Sequence, residues 1–310
     1  IILLIHKKSL SFITSHKIIK YLYCLNPYFV KKYIMNISLL SGACGAEIEG
    51  VSLKDISKNN IAIIKNLLFE HKVIFFRNQQ ISQQEQINLS KCFGALETHA
   101  YTKGLKEFPE IVRIIKEPNE KNNWGEGWHT DTSYNKQPTL AVILKSLEIP
   151  PVGGDTMFSN MELAYDTLDQ DLKEIIENKN ALHDSRGAEF FNENYQSMES
   201  NGYKEAFSNI HPIVRTNPDS QRKILYVNWT YTRKIIGMEK LQSDKVLNKL
   251  FKHQERLDLT CRFKWTTNTV AIWDNRSVLH YAIADYFPDR GLGHRRVMDR
   301  IAVRGEVPIK

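Results

Sequence analysis

Long apolar runs are missing from this 310-residue chain, and no stretch approaches the roughly 18 residues that a membrane-spanning helix needs. Cysteine is scarce. The four present, Cys24, Cys44, Cys92 and Cys261, lie far apart without a Cys-x-x-Cys pair, which excludes a disulfide framework and a zinc signature. They read as buried reduced thiols of a cytoplasmic protein. With 15 Gly and 10 Pro there is no collagen-like or low-complexity segment, and no internal repeat is visible. At 42% hydrophobic and 25% charged, the chain is globular and long enough to bury a sizeable core.

A surplus of one charge sign is also absent once residues 1–34 are set apart. The formal charge is +7, yet that segment holds six lysines and no acid, so the remainder carries 36 basic against 35 acidic residues. A nearly neutral body gives no nucleic-acid surface. Residues 1–34 are rich in Ile, Leu, Lys, Tyr and Phe and precede Met35. Three readings compete: a transit or basic membrane-surface segment, a genuine helical extension, and an over-extended reading frame that truly starts at Met35. The last is preferred. Residues 35–310 are expected to form a single domain.

Residues 57–72 place Ile61, Ile64, Leu67 and Leu68 at helical spacing, and 73–76 form a short apolar strand. Ser82 and Glu85 make a capping box for a helix over 83–93, which Gly94 ends. The same pattern at Ser159 and Glu162 predicts one helix running to Asn178, with Leu163, Leu168, Leu172, Ile175 and Ile176 as its buried stripe. Another helix is predicted over 243–257. Strands are predicted at 140–147, 210–216, 223–228, 262–266, 270–273 and 296–303, with a hairpin turn at 217–220. Short strands dominate and helices cluster early or as insertions. The expected class is therefore mainly β with peripheral helices, an antiparallel barrel or jelly roll.

Three segments carry chemistry. In an extended backbone His129 and Asp131 of Gly127-Trp128-His129-Thr130-Asp131 face the same way and can reach one metal ion. Farther on, Trp273-Asp274-Asn275-Arg276 ends an apolar strand, and the chain returns with His280 in aromatic company. Two histidines and one carboxylate are the ligand set of non-haem Fe(II) oxygenases, although each motif alone also fits a surface or core histidine. In the strand 296–303, Arg296 and Arg300 share one face, and two guanidinium groups there are costly unless each meets an anion. The remaining histidines, His183, His211 and His253, read as structural or solvated, and Gly153-Gly154 as a tight turn.

Taken together, His129-Thr130-Asp131, Gly153-Gly154-Asp155-Thr156, Trp273-Asp274-Asn275-Arg276 with His280, and Arg296 with Arg300 resemble the taurine dioxygenase (TauD/TfdA) family. The resemblance runs from about Met35 to Lys310 and keeps the motif order. It implies a double-stranded β-helix and an Fe(II)- and 2-oxoglutarate-dependent dioxygenase that consumes O₂. Carried over residue by residue, it implies that His129, Asp131 and His280 hold iron, Thr156 and Arg296 bind 2-oxoglutarate, and Arg300 receives an anionic substrate head. His99, Tyr231 and, more weakly, Tyr101 match substrate-contact positions.

The implied substrate is a small organic anion, foremost taurine or another alkylsulfonate, released as sulfite and an aldehyde beside succinate and CO₂. Alkyl sulfates, aryloxyalkanoates and carboxylic acids are alternatives, and a jelly-roll anion binder or metal hydrolase is the alternative of another class. Relatives pair as dimers or tetramers, so a homo-oligomer is expected. Two departures stand out: residues 289–295 lengthen the connection before Arg296, and Asp299 stands where a histidine is common. Arg290 and Arg295 therefore also compete for the cosubstrate role, and Arg296 is preferred because it shares a face with Arg300. Residues 101–124 and 185–207 are expected to cover the site as lids.

Overall fold

The computed structural model describes residues 35–121, 124–186, 199–203 and 205–310. The segment 1–34, with Cys24, lies outside them, as does much of the stretch 185–207. Two sheets face each other. The larger is eight-stranded and runs in the spatial order Asn36–Leu39, Ala46–Glu49, Val73–Phe76, Val270–Asp274, Thr139–Glu148, Arg296–Arg304 and Leu96–Glu97, with Val112–Lys116 also paired to Arg296–Arg304. The smaller places Thr156–Asn160 between Thr260–Phe263 and Val278–Ala282. Pairing is antiparallel except between Ala46–Glu49 and Val73–Phe76.

Alternation within strands builds the layers. Phe75, Val142, Leu144, Ala271, Trp273 and Met298 of the large sheet meet Phe158, Cys261, Phe263 and Val278 of the small one, forming the core between the sheets. The intervening residues Ile74, Phe76, Ile143, Ile272 and Val303 face outward, yet they are buried too, beneath Ile64, Leu67, Leu68 and Leu89. Those leucines belong to the helices Lys58–His71 and Gln83–Lys91. A sheet covered on both faces explains why its central strands read as continuous apolar runs. The small sheet is backed by Met161–Asp166 and Lys240–Gln254, whose Val246, Leu250 and Phe251 pack with Leu225, Val227 and Leu279.

The mainly β class, the capping box at Ser82 and the hairpin joining Val214–Thr216 to Lys223–Leu225 are as expected. The helix predicted from Ser159 to Asn178 is not. Ser159 is the penultimate residue of a strand, and its hydroxyl donates to the Gln254 carbonyl. Asn160 caps a short helix Met161–Asp166, and a second follows at Gln170–Ile176. Glu162, expected in the capping box, instead pairs with buried Lys72 at 2.7 Å. The predicted stripe holds in part: Leu168 and Ile176 are buried, Leu163 and Leu172 half-buried, and Ile175 exposed. The strand predicted at 210–216 is two strands, Ser208–Pro212 and Val214–Thr216, divided at fully buried Ile213. The helix predicted at 243–257 begins three residues earlier, and Cys92 is part-exposed rather than buried. Among the described residues no helix is long and apolar enough to cross a membrane.

Candidate metal centre

His129 and His280 meet through the backbone before they meet through their rings. Each residue's amide donates to the other's carbonyl, at 3.2 and 2.8 Å, an isolated bridge joining the loop before Thr139–Glu148 to the strand Val278–Ala282. Their ring centroids lie 4.1 Å apart. Asp131 stands between them, with Oδ1 3.6 Å from His129 Nε2 and Oδ2 3.7 Å from His280 Nε2. Asn275 holds this carboxylate in place. It accepts from the Asp131 amide at 3.0 Å and donates to the carbonyls of Asp131 and Thr139 at 3.1 and 2.9 Å. The Thr130 hydroxyl donates to the Asn275 carbonyl. The Asp-Asn turn after Trp273 is thus the brace of the ligand loop.

Among the described residues these three form the one cluster of metal-ligating side chains, with ligand atoms all within 4.8 Å of one another. They fit a divalent metal on chemical grounds. The Gly127 carbonyl, 2.8 Å from His129 Nδ1, can only accept, so the proton sits on Nδ1 and Nε2 offers its lone pair. Burial, then the neighbouring His129, pushes His280 down to about 3, leaving a neutral imidazole near pH 7. Burial alone would raise Asp131, but Arg300, His280 and His129 together hold it well below the usual carboxylate range. Asp131 Oδ2 and His280 Nδ1 are buried without a hydrogen-bond partner. Arg300 Nη2, 2.9 Å from that Oδ2, balances part of the carboxylate's charge, and the two imidazole Nε2 atoms within 3.7 Å of the carboxylate complete a donor set that suits a divalent cation.

The two strand arginines are both buried, and Arg300 reaches this centre. Arg300 is buried with Nη2 2.9 Å from Asp131 Oδ2 and its guanidinium 5.8 Å above the Trp124 ring. Arg296, four residues away, is 6% exposed and has no carboxylate within 4.0 Å among the described residues. Arg295 faces outward and pairs with Glu117 and Glu148, and Arg290 lies over the Phe287 ring. Of the three arginines, only Arg296 enters the interior. Gly153 and Gly154 turn the chain toward it with φ of 78° and 72°, and a Cβ on Gly154 would lie 3.4 Å from Arg296 Cδ. Thr156 follows, its hydroxyl accepting from Trp265 Nε1 at 2.9 Å.

Around the mouth, the Tyr231 ring stands edge-on to His129 at 6.2 Å and packs on Tyr134 at 5.1 Å. His99 and Arg300 line one small cavity with Tyr134 and Glu97. The His99 Nδ1 accepts from the amides of Tyr101 and Thr102, and burial, then Arg300, pushes the ring down to about 4. The Tyr101 ring meets His99 edge-on at 6.2 Å, with its hydroxyl held by Ser185 Oγ and the Glu205 carbonyl. Sequence reasoning passed over Glu97, whose carboxyl burial pushes up, and Lys116, whose buried Nζ has no hydrogen-bond partner. Glu97 had no motif to mark it. Lys116 left a signal, as the third residue of the alternation Val112, Ile114, Lys116.

Comparison with known proteins agrees with this geometry. The taurine catabolism dioxygenase TauD, TfdA family matches residues 36–301. An alkylsulfatase of Acinetobacter baylyi is 32% identical over 88% of this chain and 86% of its own. An alpha-ketoglutarate-dependent sulfonate dioxygenase of Saccharomyces cerevisiae is 30% identical over 81% of this chain and 63% of its own. The crystal structure of a taurine dioxygenase from Burkholderia xenovorans, 30% identical, superposes with a TM-score of 0.74 over 88% of this chain and 92% of that one. The chain belongs to the TauD/TfdA family, as an Fe(II)- and 2-oxoglutarate-dependent dioxygenase of double-stranded β-helix fold.

Proposed function

We propose that the chain oxidises a small organic anion whose acidic head is received by Arg300, foremost taurine or another alkylsulfonate. One observation carries this reading: a buried guanidinium on the interior face of the sheet, in contact with the carboxylate of the candidate ligand set. A guanidinium matches the oxygens of a sulfonate or sulfate with two parallel donors. His99, on the same cavity as Arg300, and Tyr231, against His129, would bound the rest of the substrate.

His129, Asp131 and His280 would hold iron on one face, leaving positions for cosubstrate and O₂. Bound ferrous iron, with 2-oxoglutarate and O₂, supplies the oxidising power for carbon hydroxylation. The chain supplies position and dryness. Arg296 would anchor the distal carboxylate of 2-oxoglutarate in a water-poor interior, with Thr156 beside it. Arg300 would set which carbon faces the metal, and the Trp124, Tyr134 and Tyr231 rings exclude water. Both His129 nitrogens are committed, one to Gly127 and one toward the metal, so His129 has no general-base role. Hydroxylation beside sulfur gives an α-hydroxysulfonate, which expels sulfite and leaves an aldehyde.

The test is succinate formation by iron-loaded protein offered taurine, longer alkylsulfonates, alkyl sulfates, aryloxyalkanoates and simple carboxylates. Sulfonates are expected to give succinate and sulfite in equal amounts. Succinate with a carboxylate alone would overturn the sulfur-anion reading, and none with any anion would overturn the substrate class.

A further inference from the structure

Two buried cations face each other across the strand pair Val112–Lys116 and Arg296–Arg304. Val112–Lys116 alternates, burying Val112, Ile114 and Lys116 on the face that lines the core between the sheets. In its antiparallel pairing with Arg296–Arg304, Lys116 lies directly opposite Arg296. Residues so paired project to the same side with Cβ atoms roughly 4.5–5.5 Å apart. Both are more than nine-tenths buried, Lys116 at 4% and Arg296 at 6% exposure. Lys116 Nζ and Arg296 Nε have no hydrogen-bond partner, and neither residue has a carboxylate within 4.0 Å among the described residues.

One wall joins them. Lys116 Nζ sits 4.2 Å above the Tyr286 ring, and a Cβ on Gly154 would lie 3.4 Å from both Tyr286 Cε1 and Arg296 Cδ. Lys116, Tyr286, Gly154 and Arg296 therefore lie in one neighbourhood. Other basic residues at this end of the pair are satisfied on the outer face: Arg295 by Glu117 and Glu148, Arg113 by a two-pronged contact with Asp299. Like charges facing each other across a strand pair are destabilising, the more so when desolvated. An anion between them reverses the sign, because each cation then gains a charge-assisted bond in a dry site.

We propose that Lys116 is a second anchoring cation for 2-oxoglutarate, sharing its distal carboxylate with Arg296. This rests on the reading that Arg296 faces that carboxylate. It makes Lys116 a positioning and specificity residue, favouring a dicarboxylic 2-oxo acid over a monocarboxylic one, with no contact to the reacting carbon.

The experiment compares wild type, Lys116→Met, Lys116→Arg and Arg296→Met. Calorimetric titrations of Mn(II)-loaded protein use 2-oxoglutarate and 2-oxovalerate, and thermal melts of metal-free protein use glutarate. Lys116→Met is expected to weaken 2-oxoglutarate binding about 10- to 100-fold, as loss of one buried charged hydrogen bond implies, and to leave 2-oxovalerate unchanged. Lys116→Arg should restore most of the loss. Without ligand the Met variant should melt higher than wild type, having lost a buried charge that has no hydrogen-bond partner and faces a second cation, and glutarate should stabilise it less. Wild-type 2-oxoglutarate affinity in Lys116→Met overturns the proposal, as does an equal loss for both oxo acids. If Arg296→Met also binds 2-oxoglutarate normally, the underlying assignment of the pocket fails. If Arg296→Met alone is defective, only the role of Lys116 fails.

Discussion

Arg300 Nη2 lies 2.9 Å from Asp131 Oδ2, so the arginine assigned to the substrate touches the carboxylate assigned to the metal. On these assignments the two sites share one electrostatic unit, in which an arriving anion would draw on Arg300 and a bound cation on Asp131, each at the expense of the Arg300–Asp131 pair. Arg300→Ala is expected to raise the substrate KM by about 100-fold, the loss expected from a two-pronged charged contact. Slow conversion of 2-oxoglutarate to succinate without substrate should continue. Steady-state kinetics with both assays decides it, and an unchanged KM removes the case for an anion at Arg300.

Most of this centre could be read in advance because its parts are short and local. His129 and Asp131 are two residues apart, His280 follows its turn by a few positions, and Arg296 and Arg300 obey strand alternation. The misreadings have a different origin. Ser159-x-x-Glu162 has the local form of a capping box, but Ser159 belongs to a strand registered between two others, and tertiary pairing overrode it. Glu162 was needed elsewhere, as the partner of buried Lys72. The alternation Val112, Ile114, Lys116 marks Lys116 as inward-facing, but its partner could not be read, because that lies in a cross-strand register with Arg296, about 180 positions away, which no local pattern encodes.

Asn275 braces the ligand loop with three hydrogen bonds, two to Asp131 and one to the Thr139 carbonyl. Asn275→Ala leaves those backbone groups without partners and frees the carboxylate to drift. Groups that orient metal ligands typically contribute 10–100-fold to affinity, and a loss within about that range is expected here. Anaerobic competition titration with a Mn(II) or Fe(II) indicator measures it. Metal affinity equal to wild type would show that the loop is held without Asn275.

Gly154 has φ 72°, and a Cβ there would lie 3.0 Å from Pro150 Cγ and 3.4 Å from Arg296 Cδ. Gly154→Ala pays the left-handed penalty of about 1–2 kcal/mol and presses on the arginine stem. The expected result is a KM for 2-oxoglutarate raised about tenfold, with the substrate KM within a factor of about two, since Arg300 is undisturbed. A rise confined to the substrate KM would separate Gly154 from the cosubstrate pocket.

His183 supplies a pH dependence that does not involve the metal centre. It is fully buried, with Nδ1 3.0 Å from Ser133 Oγ and its ring stacked on Tyr226. Burial, then His211 and Arg233, holds it well below the ordinary 6.5, and burial first of all lowers His211 as well. A histidine whose folded pKa is depressed stays neutral while the unfolded chain takes up a proton. Its stabilising contribution is therefore complete above about pH 6.5 and falls as pH drops toward the folded value. Each such histidine steepens the decline by up to about 1.4 kcal/mol per pH unit. Urea unfolding between pH 8 and pH 5 should show His183→Asn less stable than wild type at pH 8, yet losing less on acidification. Parallel stability curves for the two proteins would mean that protonation of His183 is not linked to unfolding in this range.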